Sequence, residues 1–409
     1  MPKIMIVAAD VALPGEKGLS RVYYLATRFA AAGFDTELVL SDFQHWKKDY
    51  RTPGEQRAAQ LAAPFTLTFL HGGRYRKNID PLRIAGYRRL GRAAAAYLAG
   101  ARFDLLYCLV PDNYVAARAT DCAREKGVPC IVDVEDLWPE AMRMVLDVPV
   151  LSDVLFSGFS HYAKKTYRNA AAVVGSSDTY RDEPLGYGCD IPLRQTVYVG
   201  TDLAVFDAGA EENAAKTEKA PGERWVTYAG SLGASYDLHT LIEAAALLKK
   251  QGGEPFSVLL LGDGPDRAAL EAAAEELNAP VRFFGFVPYE EMAAILCKSD
   301  IAVNSLVKKA AQSIVSKIGD YLAAGIPMVN TGTDPEFRAM VENEGFGVNV
   351  PPENADALAD ALRTLLHDKA KSEEMGRRAR SVAENQFDRE KTYRAIIALA
   401  RQVLGMDAE

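Results

Sequence analysis

Cysteine and histidine are scarce in this 409-residue chain, five of each, and neither type clusters. Cys108, Cys122, Cys130, Cys189 and Cys297 are odd in number and unrelated in spacing. That excludes a disulfide framework and a zinc site, and predicts reduced, buried thiols. His45, His71, His161, His239 and His367 stand apart with no H-E-x-x-H pair, so each is expected to be a surface or satisfied side chain. G-x-S-x-G is missing, which excludes the common serine hydrolase signature. Neither G-x-G-x-x-G nor G-x-x-x-x-G-K-[ST] occurs, so a dinucleotide fingerprint and a P-loop are excluded, and a dehydrogenase is the least favoured enzyme. No apolar run approaches the ~18–20 residues that span a bilayer. The opening MPKIMIVAADV has one lysine and no small-residue cleavage pattern; it reads as a first strand, and the expected location is cytoplasmic.

What is present is ordinary globular composition, 49% hydrophobic and 25% charged, at a length that favours two domains. The net charge of −8 argues against general nucleic-acid binding. Basic residues nevertheless concentrate at 74–102, where Arg74, Arg76, Lys77, Arg83, Arg88, Arg89, Arg92 and Arg102 face the single acid Asp80. Two readings stay open there: a solvated helix face, or peripheral contact with an anionic membrane surface.

Apolar runs at 3–9, 36–40, 65–69, 105–109, 130–134, 171–174 and 196–199 alternate with helical spacing at 19–32, 83–98 and 114–126. Residues 207–224 are polar and Ala/Gly-rich, which predicts a linker. A second alternation follows, with strands at 225–228, 256–261, 281–284, 301–304 and 328–331. The pattern predicts an α/β chain of two Rossmann-like, doubly wound parallel-sheet domains facing an interdomain cleft, with ligands beyond the carboxyl ends of the strands. The expected division is 1–205, a linker at 206–224, and 225–388.

Several strand ends carry chemistry. VALPGEKG places Gly15 and Gly18 where backbone amides can meet an anion. DVEDLWPE sets Asp133, Glu135, Asp136 and Glu140 after a strand, candidates for acid, base or sugar-hydroxyl acceptor. As a metal site the group is weak, and none is expected. YAGSLGASYDL (Gly230, Ser231, Gly233) and LGDGP (Gly262, Gly264) are further openings for phosphate, ribose or ring, and backbone at Phe286 and Val287 within FFGFVP could pair a base edge. VKKAAQSIVSKIGDYLAAG predicts a helix opening near Ser316, with amides and Lys317 for a diphosphate and Asp320 for ribose hydroxyls. Gln312, eight residues before Asp320, can bond sugar hydroxyls.

In this order the segments resemble the family-4 retaining glycosyltransferases of GT-B architecture, over nearly the full length and most strongly at 225–350. YAGSLG, LLLGDGPDR, VRFFGFVPYEEM, SDIAVNSL and SKIGDYLAAGIPMVNT sit where that family's donor domain has its segments; DVEDLWPE and VVGSSDTY resemble bacterial polysaccharide and O-antigen members. The resemblance implies that Asp320 matches the second acid of an E-x7-E motif, that Gln312 replaces the first, and that a final helix at about 389–409 packs back onto the first domain. It implies Val315 and Ser316 at the diphosphate, Lys317 as the main cation because 232–237 offers none, Gly15 and Gly18 as the N-terminal glycine loop, and Glu135 and Asp136 on the acceptor side. The implied activity is retaining transfer of a sugar from a nucleotide-sugar, a UDP-sugar, to a glycan or lipid-linked acceptor in lipopolysaccharide-type surface synthesis, with no cofactor and no metal. A nucleotide-sugar epimerase and a non-catalytic nucleotide-sugar-binding protein are the alternatives.

Overall fold

A computed structural model describes residues 1–16, 21–76, 80–138, 151–310 and 314–406, the side chains of 151–156 excepted. The chain divides into two compact units, one of Met1–Val197 with Tyr393–Glu409 and one of Tyr198–Thr392.

The first unit holds β1 (Lys3–Val7), β2 (Asp35–Ser41), β3 (Phe43–Gln44), β4 (Asp49–Tyr50), β5 (Thr66–Leu70), β6 (Leu105–Val110), β7 (Cys130–Val134), β8 (Ala172–Gly175) and β9 (Leu193–Thr196). Seven of them form one sheet in the order β5-β2-β1-β6-β7-β8-β9, with every neighbouring pair parallel. Parallel strands covered on both faces need apolar side chains on both, which is why β6, and β1 after Lys3, are unbroken apolar runs. Met5 and Val7 join one core cluster with Leu106 and Cys108; Ile4 and Ile6 join the opposite one with Leu105 and Tyr107. β3 and β4 form a separate antiparallel hairpin that the apolar pattern did not announce, because both strands are two residues long.

The second unit repeats the plan with β10 (Arg224–Ala229), β11 (Phe256–Leu261), β12 (Val281–Gly285), β13 (Ile301–Asn304), β14 (Met328–Asn330) and β15 (Gly347–Asn349), all parallel, in the order β12-β11-β10-β13-β14-β15. Both sheets are thus doubly wound.

The segment expected as a linker, 206–224, instead begins inside the helix Leu203–Asn213. Asp202 caps it through the Val205 N–H, and Leu203, Phe206, Gly209 and Asn213 form its buried stripe. Burying a side chain such as Phe206 is worth ~1.5–3 kcal/mol, enough to fix a helix that composition alone marks as flexible. Its glycine serves close packing: a Cβ on Gly209 would lie 2.9 Å from the Glu290 backbone on the helix Tyr289–Lys298. The five cysteines are free, and four are buried, whereas Cys297 is exposed. No helix among the described residues is long and apolar enough to cross a membrane.

Candidate functional site

In a doubly wound sheet the loops after the two strands flanking the order reversal splay apart and leave a crevice. In the second unit those strands are β10 and β13. The loop after β10 begins at Gly230, whose φ of +150° suits glycine, and a Cβ there would lie 2.5 Å from Lys317 Nζ. Lys317 opens the helix Lys317–Ala323, held against β10 by the Tyr321 hydroxyl, which accepts the Ala229 N–H at 2.8 Å and donates to the Ala229 carbonyl at 3.2 Å. The Lys317 amine lies 3.9 Å from the ring centroids of both Tyr228 and Tyr236. It is buried and has no hydrogen-bond partner among the described residues. Burial pushes it well below lysine's ordinary range, while two ring faces favour its charged form. Sequence reasoning assigned Lys317 to a diphosphate at the helix start; the structure holds its amine between two tyrosines to which the sequence reading gave no role.

The glycines of this crevice serve their own backbone first. The Gly230 N–H reaches Leu261 O at 2.8 Å, and Gly262 N–H reaches Gly285 O at 2.7 Å. A Cβ on Gly262 would fall 1.8 Å from Gly230 O, and one on Gly264 would fall 2.1 Å from Leu232 O. The space expected to admit a ribose or a ring at Gly262 and Gly264 is therefore filled, at those Cβ positions, by the neighbouring loop. Ser231 is exposed, and its carbonyl accepts the Tyr228 hydroxyl at 2.7 Å. Phe286 is 68% exposed, while Val287 and Val315 pack against the core.

Two expectations for the helix after β13 change. It has only seven residues, Ser316 makes no side-chain cap, and the Ile318 N–H is spent on Val315 O at 3.1 Å, so the helix start offers less to an anion than a long helix would. Asp320 does not present Oδ1 as a free acceptor for ribose: Oδ1 takes the Thr201 hydroxyl at 2.7 Å and the Tyr289 hydroxyl at 2.8 Å. Burial raises its pKa and these two donors oppose the shift. Gln312, like Gly18 and Glu140, lies outside the described residues.

In the first unit the reversal falls between β1 and β6. The described acids of the cluster at the end of β7, Asp133, Glu135 and Asp136, all have partners within the protein. Asp133 is wholly buried against Arg21, with Nε at 3.2 Å and Nη2 at 3.3 Å, and it also accepts the Tyr107 hydroxyl at 2.7 Å. Glu135 lies 3.0 Å from Arg21 Nε. Asp136 holds its own turn, accepting the Leu137 N–H at 2.9 Å and the Trp138 indole N–H at 3.1 Å, and burial raises its pKa. A base role for Asp136 would compete with these two hydrogen bonds, and one for Glu135 with its Arg21 ion pair. Such a cluster needed a buried arginine, and Arg21 sits too far upstream in sequence for spacing to reveal it.

The polar residues that do meet at the β1–β6 reversal went unread in the sequence. Asp10 Oδ2 accepts the Tyr87 hydroxyl at 2.6 Å and lies 3.4 Å from His45 Nδ1 and 3.5 Å from Arg83 Nη2. Arg83 stacks on Trp138, 4.8 Å from its centroid. A cleft of about 650 Å³ opens beside this cluster, lined by Asp10, Gly15, Gln44, His45, Trp46 and Glu55 among others. Gly15 thus belongs to this cleft. Its loop is pinned by Arg51, which grips Glu16 at 2.7 and 2.6 Å and Val11 O at 2.6 Å. The one available signal was position: Asp10 follows the first strand directly.

Residues 209–382 match the family model described as "Glycosyl transferases group 1", and residues 19–200 match the "Glycosyl transferase 4-like domain". Among curated proteins, the alpha-D-kanosaminyltransferase of Streptomyces kanamyceticus is 26% identical over 63% of this chain and 66% of its own length. The amylovoran biosynthesis glycosyltransferase AmsK of Erwinia amylovora is 28% identical over 41% of this chain and 42% of its own. The matches span less than two thirds of either relative. Among solved structures, HepE of Anabaena in complex with UDP superposes with a TM-score of 0.72 at 14% identity, covering 98% of this chain and 100% of that one. The fold is therefore that of the GT-B glycosyltransferases.

Proposed function

The chain belongs to the glycosyltransferases of these two matched families, and from that premise we propose that it moves a sugar from a UDP-sugar to a hydroxyl of a glycan or lipid-linked acceptor, with retention, in surface polysaccharide synthesis. The observation that carries the reading is the Lys317 amine, buried at the sheet's order reversal without a hydrogen-bond partner among the described residues. A diphosphate would supply the counter-charge that restores the ammonium form, which burial alone disfavours. Support for a uridine donor comes from the UDP held by HepE, and support for polysaccharide synthesis from the amylovoran enzyme.

In this scheme the bond from the anomeric carbon to the β-phosphate oxygen breaks and the acceptor oxygen bonds to that carbon on the same face. The acceptor proton passes to the departing phosphate, and UDP leaves. The protein positions both substrates and stabilises the leaving charge, with the nucleotide-sugar as substrate. Lys317 performs that stabilisation by rotating from between Tyr228 and Tyr236 toward the diphosphate.

The test uses the purified chain with UDP and UDP-sugars. Saturating UDP is expected to raise Tm, by the equivalent of about 2.7 kcal/mol at a hundred times Kd. Lys317→Ala is expected to keep the fold and lose about 100- to 1000-fold in transfer or donor hydrolysis. No stabilisation by any uridine nucleotide, or unchanged turnover in the variant, defeats the proposal.

A further inference from the structure

The walls around Lys317 have a construction that the transfer scheme leaves without a role. Tyr228 and Tyr236 stand with ring centroids 5.7 Å apart and planes at 65°, which makes a corner, and the Lys317 amine sits 3.9 Å from each centroid. Gly230 closes a third side: a Cβ there would lie 2.5 Å from the amine, so a side chain at that position would displace the nitrogen. Both rings are held from behind. The wholly buried Tyr228 donates its hydroxyl to Ser231 O at 2.7 Å. Tyr236 sits in a turn, its N–H on Gly233 O at 2.9 Å and its carbonyl accepting the Leu238 N–H at 3.0 Å.

Two rings satisfy an ammonium only in part. Their faces attract its charge, but they leave its N–H groups unbonded, and no hydrogen-bond acceptor among the described residues meets it. Burial opposes the charge and pushes the amine well below lysine's ordinary value. The other titratable groups packed around it do not compete for the proton near neutral pH. Burial raises the phenols of Tyr228, Tyr236 and Tyr321 above their ordinary value, and Asp320 on the same helix is turned to Thr201 and Tyr289. A diphosphate oxygen offers what the corner lacks, a full negative charge and a hydrogen-bond acceptor in one atom. A ligand that binds only the charged form of a group that is partly neutral beforehand brings a proton with it.

We propose that Tyr228 and Tyr236 are positioning residues that form a resting cage for Lys317, and that a nucleoside diphosphate draws the side chain out of this cage with uptake of a proton. The cage stands on geometry alone, whereas its release rests on the uridine-donor reading. Between the low value of the caged amine and the higher one beside a diphosphate, UDP affinity falls as pH rises, at most about tenfold per pH unit. The terminal phosphate of UDP, whose last ionisation lies near ~6, is already fully charged at about pH 8, so uptake there belongs to the protein.

Proton–carbon NMR of the full chain, isotopically labelled at lysine Cε, provides the test, with Lys317→Arg identifying the resonance by its loss. In the free protein the Lys317 ε-protons are expected well upfield of the other lysines, because two ring faces shield them. Tyr236→Phe is expected to keep that displacement and Tyr236→Leu to lose one ring's share of it, with thermal melts confirming that each variant folds. UDP at about pH 8 is expected to return the resonance to the range of the other lysines. Calorimetric titration in Tris and in phosphate, buffers of different ionisation enthalpy, is expected to show up to about one proton taken up per UDP bound. Lys317→Arg keeps a charge at every working pH and is expected to take up none. A free-state resonance among the ordinary lysines, or one equally displaced in Tyr236→Leu, overturns the cage. A displaced resonance that UDP leaves in place, while UDP still raises Tm, overturns the release and spares the donor reading. No change in Tm with any uridine nucleotide defeats the donor reading, while the shielded resonance still establishes the cage.

Discussion

Asp112 has two carboxylate oxygens with opposite fates. Oδ1 caps the helix Asn113–Glu125 by accepting the Val115 N–H at 3.2 Å, whereas Oδ2 is buried with no hydrogen-bond partner among the described residues. Burial raises this carboxyl to about 8, with Asp10 adding to the shift and Arg83 opposing it. Over the interval between the unfolded and folded values, the unfolded chain has lost its proton and the folded chain has kept it. Stability from this group is therefore full below the unfolded pKa and falls as pH rises toward 8. Asp112→Asn keeps the capping acceptor and removes the titration. Its Tm is expected to fall less steeply than wild type between about pH 5 and 8, and to exceed wild type at the upper end. Parallel melting profiles for the two proteins would show that Asp112 is ionised in the native state. Asp133 shows the other outcome for a buried acid: a guanidinium partner keeps it paired, and removing Arg21 alone would strand it at a cost of ~3–5 kcal/mol.

The helix Pro81–Gly100 divides the basic stretch between two tasks. Asp80 caps it through the Leu82 N–H at 2.9 Å, and Gly86, Tyr87, Leu90 and Leu98 bury one side. Arg83 turns inward onto Tyr87 and Trp138, so it leaves the surface set. Arg88, Arg89 and Arg92 stay exposed, with Leu82 at 61% and Ile84 at 40% exposure toward the same end. Arginines mixed with open apolar side chains suit an anionic lipid surface at about 1 kcal/mol per arginine. Replacing all three by alanine should weaken binding to phosphatidylserine vesicles about 100-fold at low salt, read by flotation. Wild-type protein that fails to float at any salt concentration removes the membrane reading. The strand elements were legible because a parallel strand covered on both faces must be largely apolar, as β6 and the part of β1 after Lys3 are; β7 departs from the rule at Asp133, which Arg21 pairs. Helix Leu203–Asn213 was not, since its stripe is made of Gly209 and Asn213 as much as Leu203 and Phe206. In the candidate sites, glycines and Lys317 were legible from their positions at strand ends. Tyr228 and Tyr236 around Lys317, Arg21 against Asp133, and His45 beside Asp10 were not, because proximity between distant segments leaves no local pattern.

At the scale of the molecule, the first unit is discontinuous in sequence: the chain leaves it at Val197 and returns at Tyr393. The returning helix Arg394–Val403 is a working part of that unit's core, where Tyr393, Ile396, Leu399 and Ala400 join Ile4, Ile6, Leu38 and Tyr107. Tyr393 also receives Arg21 Nη1 at 3.3 Å, beside the bond that the same nitrogen donates to Val197 O at 2.9 Å. A chain stopped at Thr392 loses the burial of three large side chains, at ~1.5–3 kcal/mol each, against a total domain stability of about 5–15 kcal/mol. It also strips one partner from a buried guanidinium. The second unit, Tyr198–Thr392, keeps every residue it contains. Scanning calorimetry of the truncated chain should therefore retain the transition of the second unit, while that of the first moves to much lower temperature or vanishes. A shortened protein whose first unit melts as the full chain does would show that the closing helix is dispensable, and that the sheet built from β1 to β9 is stable without its last layer.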